Sequence, residues 1–332
     1  MTISILLVRA LVGAVERSGG CRDQLLAAAT IDPNALDDVH ARVSRKQFHR
    51  VKLAALELTG DPALGLHIGE HEIRGELDVI GHLADAADTL RQSLEAVVRY
   101  SRLFDEGPDW GLRESGDSAV LRFPFRAGSA CPGIRLSVEL GNSIFLGLIR
   151  RFVEPDAVPR QALFGYAPPS YRGEYARVFA GAERFDQPYS GLEFERGWLD
   201  CRQLYRNAEL YEALCAQAER ALARLDRDAP VTSRVKAHLA SYPPAGMPSM
   251  VETARHLGIS ARSLRRRLAT EGVVYSDLIE ATLANTAKRL LESPQASIHE
   301  TSYAMGFSVP TAFHRAFKRW TGKTPREYMR TY

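Results

Sequence analysis

The chain has 332 residues, 45% of them hydrophobic, and its 43 Lys and Arg stand against 40 Asp and Glu for a net charge of +3. That length allows two domains, each with a core of ample size. Cys21, Cys131, Cys201 and Cys215 lie far apart with no Cys-x-x-Cys, which argues against a zinc site or a dithiol redox centre and for reduced, buried thiols in a cytoplasmic protein.

In chain order, Ile3 to Val15 opens with an apolar helical pattern. Arg9 breaks it and no basic leader precedes it, so it reads as a helix of the domain and not as an export signal. Ser44 to Thr59, Thr89 to Phe104, Ile134 to Phe152 and Asn207 to Leu225 also have helical periodicity. Trp110 to Arg113, Ala119 to Phe125, Ala162 to Tyr166 and Gly191 to Glu195 read as short strands. The expectation is an α+β domain over residues 1 to 225. Arg122, Arg126 and Arg135 flank the strand pair and the helix after it, and offer a clamp for a carboxylate ligand, although arginines so placed are more often plain surface. Leu210, Leu214, Ala218, Ala221 and Leu225 recur along one helix face, which either pairs with a second chain or packs against its own domain. His67 and His71 stand at helical spacing without an evident third ligand. There is no phosphate-binding glycine loop and no Gly-x-Ser-x-Gly, so no catalytic constellation and no cofactor is expected.

The charge is unevenly divided. Pro230 to Tyr332 hold 4 Lys and 11 Arg against 7 acidic residues, a net of +8, which leaves −5 for residues 1 to 229. Basic charge confined to one segment is the footprint of phosphate binding. Within that segment a pattern occurs twice. Ser249-Met-Val-Glu252-Thr253-Ala-Arg-His-Leu257-Gly258-Ile259-Ser260 returns as Ser297-Ile-His-Glu300-Thr301-Ser-Tyr-Ala-Met305-Gly306-Phe307-Ser308. Each copy has a capping serine with glutamate three residues on, an apolar-faced helix, a turn glycine and a second, arginine-bearing helix. That is a helix-turn-helix, duplicated. Val231 to Tyr242 forms an opening helix, Tyr275 to Glu292 a linker ended by Ser293-Pro294, and Thr324-Pro325-Arg326-Glu327 caps a closing helix, making seven in all. The eighteen-residue linker spans roughly 27 Å, close to the roughly 34 Å between successive major-groove turns.

In the first copy Leu264 and Leu268 face the core, leaving Arg262, Arg265 and Arg266 outward to contact guanine edges or phosphate. In the second, Phe313 and Phe317 replace the leucines, so Thr311, His314 and Arg315 are the base-contact candidates. Ser260, Arg267, Ser308, Lys318 and Arg319 are expected on phosphates. Phe307, Phe313, Phe317 and Trp320 read as core.

Gly306-Phe307-Ser308, then Phe313-His-Arg315-Ala-Phe317-Lys318-Arg-Trp320-Thr-Gly322-Lys-Thr324-Pro325-Arg-Glu-Tyr328, resembles the signature of the AraC/XylS transcription regulators. Leu257-Gly258-Ile259-Ser260-Ala-Arg262-Ser-Leu264-Arg-Arg266-Arg-Leu268 is similar to the same family's first helix-turn-helix. The resemblance implies an all-α C-terminal domain, residues 226 to 332, of two helix-turn-helix motifs joined by a linker helix and set in adjacent major-groove segments. Pro310 and Ala312 depart from the polar residues frequent at those points, so the second helix is expected to supply affinity more than sequence choice. Gly75-Glu-Leu77-Asp-Val-Ile80-Gly81 and Thr89-Leu90-Arg-Gln-Ser93-Leu94-Glu95-Ala96-Val-Val-Arg99-Tyr100 resemble the N-terminal domain of the subgroup described as arabinose-binding-like. By implication that domain senses a small molecule, dimerises, or both. The expected protein is a sequence-specific regulator with double-stranded DNA, a small-molecule effector, RNA polymerase and a second copy of itself as partners, and no membrane. Its rivals are a constitutive DNA-binding regulator that only dimerises, and a DNA-targeted enzyme, which needs a reactive cysteine in an electropositive site.

Overall fold

The structure is a computed structural model that describes residues 2–70, 78–107, 110–123, 131–203, 206–291 and 297–329. It divides into two compact units, Met1–Arg224 and Leu225–Tyr332.

In the first unit, strands β1 (Thr2–Ser4) and β2 (Arg42–Ser44) pair antiparallel with Ile3 opposite Val43. Each runs straight into a helix, α1 (Ile5–Arg17) and α3 (Arg45–Thr59). The switch is made by serines. Ser4 accepts from the Leu6 amide, and Ser44 and Gln47 close a reciprocal capping box. Ile3 is therefore a strand residue, which corrects the helix expected from Ile3 to Val15. One apolar run spans both elements, so periodicity alone hides the boundary. Helices α2 (Arg22–Ala29), α4 (Leu64–Glu70) and α5 (Asp78–Ala86) precede α6 (Leu90–Tyr100). Thr89 caps α6, which ends in a single 3-10 turn at Ser101–Leu103 and so stops short of the expected Phe104.

A five-stranded sheet is built from β3 (Gly111–Ser115), β4 (Ser118–Phe123), β5 (Gln161–Leu163), β6 (Glu183–Arg184) and β7 (Ser190–Glu195). Its order is β3-β4-β7-β5-β6, antiparallel except for the β5–β6 pair. The expected strand over Ala119–Phe125 is β4, whose last two expected residues lie outside the described residues. The 21-residue helix α7 (Pro132–Phe152) divides two apolar clusters: Leu136 and Leu140 join Ile5, Leu11, Leu25 and Val51 on one side, while Phe145 and Ile149 join Phe123, Phe164, Tyr175 and Phe194 on the other. Helices α8 (Arg172–Phe179) and α9 (Ala208–Asp228) complete the unit's framework, the division between units falling inside α9.

The second unit is all helical: α10 (Val231–Ala240), α11 (Met250–His256), α12 (Ala261–Thr270), α13 (Tyr275–Leu291), α14 (Ile298–Ala304), α15 (Pro310–Thr321) and α16 (Pro325–Met329). Glu271 accepts from the Val231 and Thr232 amides and so caps α10 from the far end of α12. Two small cores hang on α13. Tyr275 and Leu278 join Val235, Leu239, Leu264 and Leu268, whereas Ala287 and Leu291 join Met305, Phe313 and Phe317. Glu292 and the expected stop at Ser293-Pro294 lie outside the described residues.

Candidate nucleic-acid interface and effector cavity

Each helix-turn-helix is assembled by local rules. Ser249 and Glu252 close a capping box on α11, and Gly258 turns the chain at φ +69°. Ser260 caps α12, its hydroxyl oxygen accepting from the Ser263 amide at 3.1 Å. Thr253 and the Tyr275 hydroxyl are 2.6 Å apart, and the same hydroxyl donates to the Pro248 carbonyl at 3.0 Å. That buried bond network ties α11 to the start of α13. In the second copy Ser297 caps α14 by accepting from the Glu300 amide, and Gly306 turns at φ +83°. Helix α15 begins at Pro310 after Val309, which supplies no side-chain cap, while Thr324 and Glu327 bond reciprocally at α16.

Leu264 and Leu268 are buried, and Arg262, Arg265, Arg266 and Arg267 are exposed on α12. On α15 Phe313 and Phe317 are buried, Thr311, Arg315, Lys318 and Arg319 are exposed, and His314 is half-buried. Phe307 and Trp320 pack against Phe313 and Phe317 as expected of core residues. Ser260 and Ser308 are both exposed, Ser308 lying just outside α15. Among the described residues no acidic side chain pairs with Arg262, Arg265, Arg266 or Arg315. Arg319 differs: its guanidinium is 2.9 Å from Glu280 on α13, so a phosphate must compete with that carboxylate.

Of the arginines expected to clamp a ligand in the first unit, two lie among the described residues, and each packs over a tyrosine ring. Arg122 is exposed and lies over the Tyr189 ring at 4.8 Å. Arg135 is half-buried over the Tyr166 ring at 5.4 Å, beside Tyr171 and the buried Glu139. Arg126 lies outside the described residues. Tyr171 donates to Glu139 at 2.7 Å and Tyr175 donates to the same carboxylate, yet burial still pushes the Glu139 pKa up to about 7. Arg135 thus lies in a tyrosine–carboxylate cluster around the buried Glu139. On α9, Leu214 and Ala218 are buried in the unit's own core, Ala221 and Leu225 are half-buried, and Leu210 is 47% exposed. The middle of that face packs against its own domain, one of the two alternatives for this stripe. His67 bonds Asp61 at 2.6 Å and Glu174 at 3.2 Å, while His71 lies outside the described residues.

The first unit also holds a cavity of about 430 Å³, not expected from the sequence, lined by residues of β1, α1, α3, α5 and α7 among others. Ile3, Leu7, Phe48, Phe104, Trp110, Leu140, Ile144 and Phe145 make its walls largely apolar. Arg45, His49 and Lys52 on α3 line the space, with Ser137 and Arg151 on α7, Glu70 on α4 and Asp105. Lys52 is only 7% exposed; its Nζ donates to Ser137 Oγ at 2.7 Å and sits 5.0 Å from the Phe48 ring centre. Burial lowers its pKa to about 8. Burial and the charge of Lys52 also lower the pKa of His49, whose Nε2 lies 3.8 Å from Cys131 Sγ. One sequence signal pointed here. Lys52 stands four residues after Phe48 on the apolar stripe of α3 that holds Val51 and Ala55, where a lysine is out of place.

No helix among the described residues is long and apolar enough to cross a membrane. A family model described as the arabinose-binding domain of AraC transcription regulators, N-terminal, matches residues 19–203, and one described as a helix-turn-helix domain matches residues 253–331. The ornithine utilization regulator of Pseudomonas aeruginosa is 28% identical over 330 residues, covering 98% of this chain and 96% of that protein. The regulator VirS of Mycobacterium tuberculosis is 28% identical over 301 residues, covering 90% and 87%. The crystal structure of the transcriptional regulator CdpR from Pseudomonas aeruginosa overlays 93% of this chain and 96% of its own with a TM-score of 0.44 at 21% identity.

Proposed function

We propose a division of labour from one premise: the chain belongs to the AraC family of transcription regulators, in the subgroup with an arabinose-binding-like N-terminal domain. It is a DNA-binding regulator. In our reading residues 226–332 read the operator and residues 1–225 bind a small effector in the cavity beside Lys52. The observation that carries the DNA half is the row of exposed arginines on α12 and α15, opposite faces that are buried in separate cores. We assign Arg262, Arg265, Arg266, Thr311, His314 and Arg315 to base edges, and Ser260, Arg267, Ser308 and Lys318 to phosphates. Arg319 joins the phosphate set only where it releases Glu280.

Regulation then works by linkage. A ligand that binds one state of the protein more tightly shifts the population toward it, and so changes operator affinity or the encounter with RNA polymerase. We place this activity in the cytoplasm, with a second copy of the chain on a paired site. The experiment selects a preferred duplex from random sequence and measures anisotropy with the full chain and with a chain lacking residues 230–332. Loss of binding in the shortened chain supports the assignment; retained binding overturns it. A ligand at 100 times its dissociation constant adds about 2.7 kcal/mol of stability, so thermal shift against metabolites separates a sensing domain from one that only dimerises.

A further inference from the structure

We propose that the cavity of the first unit takes a monocarboxylate with an apolar body, its carboxylate seated on the Lys52 ammonium beside Ser137. This rests on the reading of that cavity as the effector site and names the class of molecule.

The charges around the cavity are the starting point. Arg45 pairs with Asp105, Glu70 pairs with Arg177 at 2.6 Å, and Arg151 pairs with Asp85 at 2.9 Å. Each of these is neutralised by protein. Lys52 is not: among the described residues no carboxylate stands within ion-pair distance of its Nζ, and its bond partner is the neutral Ser137 hydroxyl. His49, the next side chain along α3, has its pKa lowered and adds no anion. A buried ammonium with one neutral partner is costly, and an arriving anion removes that cost.

The shape of the polar corner selects among anions. The Lys52 ammonium keeps two N–H donors beyond the one it gives Ser137, whose own hydroxyl donates to the Gly133 carbonyl at 3.2 Å, and two donors match the two oxygens of a carboxylate. A phosphate monoester would bring a further oxygen and a second charge beside apolar walls, and the Arg45 guanidinium that could meet them is already paired with Asp105. The remainder of the space is lined by Phe48, Phe104, Trp110 and Phe145, with Trp110 and Phe145 rings 5.4 Å apart. Aromatic walls of this kind hold an aryl or alkyl body by burial and edge contacts.

The test is calorimetric titration of the full chain with aryl and alkyl carboxylates of rising length, each beside the alcohol of the same skeleton. For the best-fitting skeleton the acid is expected to bind at least about tenfold more tightly than its alcohol. Lys52→Met keeps the length of the side chain and removes the charge. It is expected to cost the acid about tenfold or more while changing the alcohol less than about twofold. Acid and alcohol binding equally, or an acid indifferent to Lys52→Met, would overturn the carboxylate assignment and leave the cavity standing as an effector site. If no skeleton of either kind binds, the cavity fails as the effector site and this assignment falls with it.

Discussion

At the scale of single residues, Lys52 carries a measurable consequence in the ligand-free protein. Its folded pKa of about 8 lies below the 10.5 of an unperturbed lysine, so the unfolded chain holds that proton more tightly. The resulting penalty is fully present below pH 8 and fades as pH rises toward 10.5. A shift of that size corresponds to about 3 kcal/mol. Lys52→Met is therefore expected to stabilise the protein at pH 7 by roughly 2–3 kcal/mol, with the gain shrinking above pH 8. Urea melts at neutral and alkaline pH read this directly; a gain independent of pH would assign it to packing and not to charge. On the DNA side, Arg266→Ala and Arg315→Ala are each expected to weaken the selected duplex by about 1–3 kcal/mol and to relax choice at one base pair. Equal loss on random duplex would move the residue to the phosphate class. Lys318→Ala is expected to weaken all sequences alike and to flatten the dependence of affinity on salt.

The two turn glycines compare one element in two settings. Gly258 and Gly306 hold the same place in the duplicated motif and both have positive φ, at +69° and +83°. A Cβ on Gly258 would meet nothing within 4 Å, whereas one on Gly306 would lie 2.5 Å from the Ala245 Cβ. Gly258→Ala is thus expected to cost about 1 kcal/mol for backbone strain alone, and Gly306→Ala about 2–3 kcal/mol, from strain and overpacking together. Denaturant midpoints compare them, and equal losses would remove the contact from the account. The motif itself was legible in the chain because caps, turn glycines and the leucine or phenylalanine pair act within a dozen residues. The helices α12, α13 and α15 follow from such local signals. The first unit was legible only in part. Helix α4 (Leu64–Glu70) is short and glycine-bearing, and α8 (Arg172–Phe179) is a two-turn helix, so neither announces itself by periodicity. The cavity was hidden for a different reason: Lys52 and Ser137 meet only because α3 and α7 pack together, and no pattern in the chain encodes that meeting. The surroundings of Arg135 were hidden for the same reason, since its partner is a ring on a loop distant along the chain.

At the scale of the molecule, the apolar clusters of the first unit and those of the second share no residue among those described. Heating is expected to give two calorimetric transitions, and an effector to raise only the one belonging to residues 1–224. A single transition raised as a whole would show that the units melt together. The second unit has its own dependency, because α13 supplies side chains to both of its small cores. Seventeen helical residues make a ruler of roughly 26 Å whose scale is angular as well as linear. Each residue added or removed shifts one end by about 1.5 Å and swings it through about 100°, more than enough to turn a bank of guanidinium groups away from its target. Evolution of this protein toward operators with altered half-site phasing is thereby steered into sequence changes on α12 and α15, while the length of the rod between them is held.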